Sequence, residues 1–310
     1  MLKSRFPRRA AAGLLTGASS LMLLAACAQH APSSDVHADH ADHMSSSAAS
    51  ASRSSSDPSL PAGSADVAQR LASSPRHGEY VMIATGPGDS VRAWVVYPER
   101  STKAPVIVVV HEIFGLSTWI RGVADQLAAN GYIAIAPDLL TGKATPAPGS
   151  DTLTQAAATS AIRTLQPTDV QRQLAAVGKY GMSLPATEHS YGIVGFCWGG
   201  GTSFAHAVMS PEGLGGAVVY YGTSPALSSL ASVRVPVLGL YAGDDARVGA
   251  TVPPADSAMR AMGKTFEVHS FAGAGHGFLR QQDGKDGANL AATQQAWPLT
   301  VNFFRTHLRR

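Results

Sequence analysis

Short, continuous apolar runs alternate along this chain with longer segments in which apolar residues recur every three or four positions. The run 105–110 is almost entirely β-branched, which is typical of a parallel strand buried on both faces. The segment 91–97 instead alternates at its start, as an edge strand does. The strands predicted in this way are 91–97, 105–110, 132–136, 191–194, 217–221, 235–241 and 266–271.

The intervening segments have helical periodicity. Ser117 suits the N-cap of one helix, and Gly131 suits the position just after its C-cap. The predicted helices are 117–130, 152–180 with an interruption near Pro167, 202–209, 254–262 and 290–308. Strands that alternate with helices predict the α/β class, here a single domain at 76–310 with a mostly parallel sheet and helices on both faces.

The chain before residue 76 has a different composition. A basic stretch and an apolar run form a predicted signal peptide at 1–26, which ends in a Leu-Ala-Ala-Cys sequence similar to a bacterial lipobox. Cys27 is then the predicted lipidation site; an ordinary signal peptide is the alternative. The expected location is the bacterial cell envelope, lipid-anchored on the periplasmic side of the outer membrane or free in the periplasm. Residues 27–75 are rich in Ser, Ala, His and Asp and predict a flexible tether.

Within this tether, four histidines alternate with aspartates over 30–43. We interpret the tract as a solvated linker, with weak zinc or copper binding as the alternative. The formal charge of the whole chain is +3, but four basic residues fall in the predicted signal peptide. The remainder is close to neutral, so no nucleic-acid partner is expected, and no obligate protein partner is evident.

A Gly-x-Cys-x-Gly sequence follows the apolar run 191–194 and precedes a helical segment. Strand, Gly-x-nucleophile-x-Gly and helix is the pattern of a nucleophile elbow, which makes Cys197 the candidate nucleophile. An inert core cysteine is the alternative. If Cys27 is lipidated, Cys197 has no cysteine left in the chain for an intramolecular disulfide.

An acid and a histidine follow two later strands, at Asp244-Asp245 and at His276. Nucleophile, acid and histidine is the chain order of α/β-hydrolases, and it predicts a triad of Cys197, Asp245 and His276. Asp244 is the alternative acid. The oxyanion formed in acyl transfer needs two N–H donors, predicted at Trp198 after the nucleophile and at Ile113 after strand 105–110.

Several motifs together resemble the dienelactone hydrolase family from about Glu79 to the C-terminus. They are His111-Glu112-Ile113-Phe114-Gly115, Pro137-Asp138-Leu139, Gly195-Phe196-Cys197-Trp198-Gly199-Gly200 and Gly275-His276-Gly277-Phe278. The resemblance implies an α/β-hydrolase that opens activated esters or lactones such as dienelactones through a Cys-His-Asp triad without a cofactor. The expected partner is therefore a small-molecule ester or lactone.

The resemblance also implies two further roles. Glu112 matches a glutamate that contacts the resting thiol and helps to form the thiolate, with a buried structural acid as the alternative. Arg280 matches an arginine that binds the substrate carboxylate, with a solvated surface charge as the alternative. The segment 140–146, where the family has a second arginine, contains none. Two other functions remain open: a broad carboxylesterase or thioesterase, and a non-catalytic envelope lipoprotein with weak metal binding.

Overall fold

The computed structural model describes residues 57–143 and 149–308. The predicted signal peptide, Cys27 and the His/Asp tract of the tether lie outside the described residues. Within the described ranges, no helix is both long enough and apolar enough to cross a lipid bilayer.

The described residues form an eight-stranded sheet in the order β1-β2-β4-β3-β5-β6-β7-β8. The first two pairings, β1 with β2 and β2 with β4, are antiparallel, and the others are parallel. The mostly parallel α/β sheet predicted from the sequence is therefore confirmed. The strands are β1 Gly78–Gly86, β2 Asp89–Val96, β3 Ala104–Val110, β4 Ile133–Asp138, β5 Thr187–Phe196, β6 Leu214–Tyr220, β7 Val237–Ala242 and β8 Phe266–Phe271.

The prediction of an edge strand at 91–97 is wrong. This segment falls in β2, which pairs with β1 on one side and β4 on the other. The edge strand on this side of the sheet is β1, which the apolar pattern did not reveal because seven of its nine residues stay at least partly exposed. An edge strand packed on so little of the core lacks the continuous apolar run that marks the central strands.

Helices connect the strands and cover both faces of the sheet. Ser117 caps the second helix by accepting a hydrogen bond from the Ile120 N–H, and Gly131 follows its C-cap at φ 93°. Both residues thus lie where the sequence predicted. The helices are α1 Val67–Ala72, α2 Thr118–Ala129, α3 Gln155–Ile162, α4 Pro167–Ser183, α5 Trp198–Met209, α6 Ala246–Gly249, α7 Val252–Ala261 and α8 Ala288–Leu308.

The core consists of two large apolar layers, one on each face of the sheet. Successive residues of a strand point to opposite faces, so Ile107 and Val109 pack with α2 and α8, whereas Val108 and Val110 pack with α4, α5 and α7. This double burial explains why β3 is continuous in apolar residues. It also fixes the carboxyl ends of β3, β5, β7 and β8 at the edge of the sheet where the candidate residues lie.

The predicted boundary between the tether and the domain, after residue 75, lies too late in the chain. Residues 57–75 pack against the domain: Leu60 and Val67 are buried in the layer beside α2. The Trp119 indole N–H donates to the Ala62 carbonyl at 3.2 Å, and the Gln282 amide donates to the Pro61 carbonyl at 2.8 Å. Composition concealed this segment, because a few well-placed apolar side chains anchor a sequence that is otherwise polar.

We expect Leu60→Ala to lower the free energy of unfolding by roughly 2–3 kcal/mol, as for other buried leucines that leave a cavity. The matched control is Leu227→Ala, which truncates a leucine that is 50% exposed and should cost less than about 0.5 kcal/mol. Urea unfolding followed by circular dichroism measures both. Equal stability of the two variants would mean that 57–75 does not pack on the domain in solution.

Candidate active site

Cys197 lies on a sharp turn between β5 and α5. Its backbone has φ 56° and ψ −117°, a conformation that costs a non-glycine residue free energy and that clusters at functional sites. The neighbouring glycines are required by close approach: a Cβ on Gly195 would lie 1.9 Å from the Gly199 carbonyl oxygen, and one on Gly199 would lie 2.4 Å from the His111 carbonyl oxygen. The elbow geometry expected from the sequence is present.

A cavity of about 530 Å³ opens beside this turn and includes Cys197 and Trp198 in its wall. Its other described lining residues are mostly apolar or neutral, from the loop after β3, from α4 and α5, and from the loop after β6. Arg247 is the one charged side chain among them. They are Ile113, Leu165, Pro167, Val170, Gln171, Gly201, Thr202, Ala205, Tyr221, Thr223, Ser224, Pro225 and Arg247.

His276 is paired with Asp245, and not with Asp244. The His276 Nδ1–H donates to Asp245 Oδ2 at 2.5 Å, which leaves Nε2 as the ring nitrogen available to a nucleophile. The other carboxylate oxygen of Asp245 accepts from the Val248 N–H and caps α6. Asp244 forms an exposed ion pair with Lys285 at 3.1 Å. Of the two candidate acids, Asp245 therefore has the geometry to orient the imidazole.

The electrostatic environment of Cys197 keeps its thiol protonated at rest. Burial, reinforced by the nearby Glu112 carboxylate, raises the pKa of the thiol. The Trp198 backbone N–H hydrogen-bonds to the sulfur and opposes that shift, as do the charges of Arg247 and Arg280. Among the described residues, no hydrogen bond joins the thiol to His276. The Tyr221 ring lies beside the imidazole, with its centroid 5.1 Å from that of His276.

Glu112 and Arg280 form a buried ion pair. Glu112 Oε2 lies 2.7 Å from Arg280 Nε, and the two side chains are 3% and 19% exposed. Burial raises the pKa of Glu112 to about 7 despite the opposing charge of Arg280. The Arg280 guanidinium also lies over the Phe114 ring, 5.2 Å from its centroid. The charge of Glu112 acts on the Cys197 thiol and raises its pKa; the role that the resemblance implies for Glu112 stays a prediction.

Arg280, the predicted carboxylate-binding residue, lies beside Glu112 and between two cavities. Arg280 is absent from the described wall of the 530 Å³ cavity. It lines a second cavity, of about 400 Å³, together with Phe114, Arg121 and Asp151. Arg280 Nε lies 2.7 Å from Glu112 Oε2, and the charge of Arg280 also lowers the pKa of the Cys197 thiol.

Buried hydrogen bonds hold the loop after β3, which contains Ile113, against the loop after β4. The His111 Nδ1–H donates to the Glu112 carbonyl at 2.7 Å, and His111 Nε2 accepts from the Leu139 N–H at 3.2 Å. Burial lowers the pKa of His111, so the ring is neutral and can both donate and accept. It stacks on Trp198 with ring centroids 5.6 Å apart. This network fixes the backbone on both sides of the cavity.

A second set of hydrogen bonds holds the loop after β3 in place through Asp138 and Ser150. The Asp138 carboxylate accepts from the Ser150 N–H at 2.6 Å and from its hydroxyl at 2.7 Å, and the Ser150 hydroxyl oxygen accepts from the Leu116 N–H at 2.8 Å. Sequence reasoning named Asp138 only as part of a motif and missed Ser150. No local signal marks Ser150, since twelve residues separate it from Asp138.

Two more residues beside the nucleophile were missed. Arg247 follows Asp245 by two positions, and its place after the candidate acid was the available signal. Tyr221 directly follows β6 at φ 39°, is fully buried, and has a hydroxyl without a hydrogen-bond partner among the described residues. No group of histidine, cysteine or acidic side chains in the described ranges is arranged to hold a metal ion.

Comparisons with known proteins show which family and fold this chain is similar to. The model of the dienelactone hydrolase family matches residues 91–308. A Salmonella typhi protein, provisionally named a carboxymethylenebutenolidase, is 30% identical over 262 residues, which cover 79% of this chain and 95% of that protein. A Xenopus tropicalis carboxymethylenebutenolidase homolog is 30% identical over 63% of this chain and 78% of its own. The crystal structure of a Klebsiella pneumoniae protein provisionally named a dienelactone hydrolase superposes with a TM-score of 0.65 at 26% identity, covering 74% of this chain and 98% of that one.

Proposed function

The chain belongs to the dienelactone hydrolase family of carboxylic ester hydrolases, and from that premise we propose that it cleaves a small activated ester or lactone through a Cys197 thioester. The observation that carries the proposal is the conjunction of the Cys197 elbow with the His276–Asp245 pair at the same edge of the sheet. A strained nucleophile and an oriented imidazole are the two groups that acyl transfer requires.

The thiolate forms in two steps, a transfer of the thiol proton and a rotation of the sulfur. Because burial and Glu112 raise the pKa of the resting thiol, the sulfur is protonated until a substrate enters. Glu112, with a pKa of about 7, exists in both protonation states near neutrality and can accept the thiol proton. The sulfur then turns toward His276, and the ring takes up one proton from solvent to form an ion pair with the thiolate. Asp245 holds the imidazole in the required orientation and stabilises its charged form.

The thiolate attacks the carbonyl carbon, and the carbonyl electron pair moves onto oxygen. The Trp198 and Ile113 backbone N–H groups are the proposed donors to this oxyanion. Collapse breaks the bond to the leaving oxygen, which takes a proton from the His276 imidazolium and leaves a Cys197 thioester. His276 then removes a proton from water, and the hydroxide attacks the thioester. The departing sulfur takes that proton back from His276, and Glu112 returns the first thiol proton to solvent, so the carboxylic acid leaves and the resting thiol is restored. An activated enol or aryl ester suits this nucleophile, because a poor alkoxide leaves less readily than the thiolate itself.

The proposal predicts a trapped acyl-enzyme. Mixing the protein with a slowly hydrolysed aryl ester and quenching in acid should add one acyl mass to the peptide that contains Cys197. The added mass should be released by hydroxylamine at neutral pH, as a thioester is. Turnover of the ester without any acylated Cys197 peptide in the pre-steady-state phase would contradict the mechanism. Equal rates on neutral and anionic esters would instead indicate a broad carboxylesterase.

Glu112→Gln is expected to lower the pKa of the Cys197 thiol and yet to slow turnover by roughly 10²- to 10⁴-fold, the usual contribution of a proton acceptor. The substitution removes the negative charge that raises the thiol pKa and also removes the acceptor. It should further abolish the part of the pH dependence of kcat/KM that reflects ionisation of Glu112 near pH 7.

Thiolate absorbance against pH measures the first effect, and kcat/KM against pH the second. Glu267→Gln is the matched control, since Glu267 is an exposed acid that pairs with His269 on β8. A thiol pKa that rises in Glu112→Gln would show that the carboxylate does not act on the sulfur as proposed.

We also propose that Cys27 carries a lipid anchor and that the enzyme works in the cell envelope. The support is the Leu-Ala-Ala-Cys sequence after an apolar run that follows basic residues. The mass of the N-terminal peptide from the mature protein tests this: a diacylated Cys27 supports it, and an unmodified N-terminus at another residue overturns it.

A further inference from the structure

A groove of about 580 Å³ lies between α4 and α5, and we call it the α4–α5 groove. Most of its described lining residues are apolar; they include Ala175 of α4 and Val208 and Met209 of α5. Met209 is 64% exposed although it is a large apolar residue. A concave surface with an apolar lining and an exposed apolar side chain is typical of a site that binds an apolar ligand.

The α4–α5 groove adjoins the cavity beside Cys197. Pro167, Gln171, Ala205 and Pro225 line both spaces. Ala205 has no side-chain atom beyond its Cβ, so at this residue no long side chain separates the cavity from the groove. This continuity indicates that the ligand of the groove is the molecule whose reacting end lies at Cys197, which is the substrate.

Two polar side chains that line the α4–α5 groove, Gln171 and His206, are already hydrogen-bonded within the protein. The Gln171 amide donates to the Thr202 carbonyl at 3.1 Å, and its carbonyl oxygen accepts from His206 Nδ1–H at 2.8 Å. His206 Nε2 accepts from the Tyr191 hydroxyl at 2.9 Å. Burial lowers the pKa of His206 to about 4, so its ring is neutral near pH 7. An apolar chain in the groove therefore leaves neither side chain without its partners.

Arg172 is the one charged side chain among the described residues of the α4–α5 groove. Its guanidinium donates to the Thr85 carbonyl at 2.6 Å and pairs with Asp89 at 2.8 Å and with Asp169 at 3.4 Å. Two carboxylates thus compensate its charge, and an arginine anchored in this way contacts an apolar ligand through its methylene stem. The groove offers apolar contact and not a site for an anion.

The length of α5 indicates which acyl chains extend into the groove. At about 1.5 Å per residue, Ala205 lies about 12 Å and Met209 about 18 Å along the helix from Cys197. An extended alkyl chain advances about 1.2 Å per bond, as an extended backbone does over its three bonds per residue. A chain of about eight carbons therefore ends in the cavity beside Cys197, whereas one of about fourteen carbons extends into the α4–α5 groove.

We propose that the α4–α5 groove is an acyl-chain site and that the substrates include activated esters whose acyl part is a long, unbranched alkyl chain. The inference rests on the proposed function, because the ester carbonyl must lie at Cys197 for the chain to enter the groove. The chemical steps are unchanged. The groove binds the acyl chain in the ester and in the thioester, through apolar contacts with Ala175, Val208 and Met209.

The test compares nitrophenyl esters with eight-carbon and fourteen-carbon acyl chains, both kept below the concentration at which they form micelles. In the wild type, kcat/KM for the longer ester should exceed that for the shorter one at least about tenfold, since each fully buried methylene contributes about fourfold and the groove is partly open. Met209→Glu places a charge in the apolar groove and should lower this ratio about three- to tenfold. Ala175→Trp fills the groove from α4 and should lower the same ratio.

Met262→Glu is the matched control. Met262 is the C-cap residue of α7, is 39% exposed and is absent from the described lining of the α4–α5 groove. It introduces the same charge at the end of another helix, and it should change neither rate. A wild-type ratio near one, or a Met209→Glu variant that keeps the wild-type ratio, overturns the inference.

Binding to the Cys197→Ala variant tests the groove without turnover. Methyl ketones with the same two alkyl chains are the probes, and calorimetry should show that the longer ketone binds at least about tenfold more tightly. Equal affinities overturn the inference. A dimer in sedimentation that Met209→Glu alone dissociates, with equal ketone affinities, would assign the groove to a second copy of the chain and also overturns it. If Cys197→Ala still hydrolyses both esters, the proposed function fails instead, so the two failures are distinguishable.

Discussion

Cys197→Ala is expected to lower kcat for an aryl ester by at least about 10⁴-fold, the scale found when the nucleophile of a triad is removed. Alanine retains the Cβ and adopts the same backbone at φ 56°, so the elbow keeps its strain and the glycine contacts are unchanged. The fold should therefore persist. The variant loses the sulfur alone, and with it the thioester route.

The Cys197→Ser variant tests the need for a thiol more specifically than the Cys197→Ala variant does. Cys197→Ser places a hydroxyl where the thiol was, but an alcohol is a far weaker acid than a thiol, and the proposed proton acceptor is a carboxylate with a pKa of about 7. We expect the serine variant to remain at least about 10²-fold slower than the wild type. Initial rates with active-site-titrated enzyme, with thermal unfolding as a check on folding, measure both variants. An alanine variant that turns over at more than about 1% of the wild-type rate would exclude Cys197 as the nucleophile.

The central strands and the order of the candidate residues could be predicted because each depends on local sequence. A strand buried on both faces must be apolar throughout, as β3 is. Residues that follow the carboxyl ends of parallel strands meet at one edge of the sheet, so Cys197, Asp245 and His276 could be brought together without coordinates. The Asp245–His276 contact agrees with the preference for the second aspartate of the pair.

The parts that could not be predicted depend on contacts between distant segments. Leu60 in a polar sequence becomes core only because α2 offers a surface for it. Arg280 was assigned by its spacing from His276, but spacing does not reveal that Glu112, far away in the sequence, occupies its Nε. The same holds for Ser150, whose partners Asp138 and Leu116 lie on two other loops.

In the proposed mechanism, Glu112 accepts the thiol proton and His276 stabilises the thiolate, two tasks that one residue could have performed. Glu112 lies near the sulfur and is engaged by Arg280, whereas His276 is oriented by Asp245 and makes no hydrogen bond to the thiol among the described residues. A resting thiol with a raised pKa is poorly nucleophilic and slow to oxidise. In the proposed mechanism and the proposed envelope location, such a thiol resists oxidation until substrate enters.

Asp245→Asn is expected to reduce kcat by about 10³- to 10⁴-fold with little effect on stability. The amide no longer carries the charge that stabilises the imidazolium, and it can turn its NH₂ toward His276 Nδ1, which favours the wrong tautomer. The cap of α6 survives, because asparagine accepts from the Val248 N–H as well as aspartate does. The variant therefore isolates the role of the charge at a position that also serves the fold.

Asp244→Asn is the matched control one residue away. Asp244 is exposed and pairs with Lys285, and a surface ion pair contributes only about 0–1 kcal/mol, so its loss should change kcat less than about twofold. Steady-state rates and the pH dependence of kcat, measured on both variants, decide between the two aspartates. If Asp244→Asn is the slower enzyme, Asp245 serves only to cap α6, and the His276 contact at 2.5 Å has no part in the orientation of the catalytic imidazole.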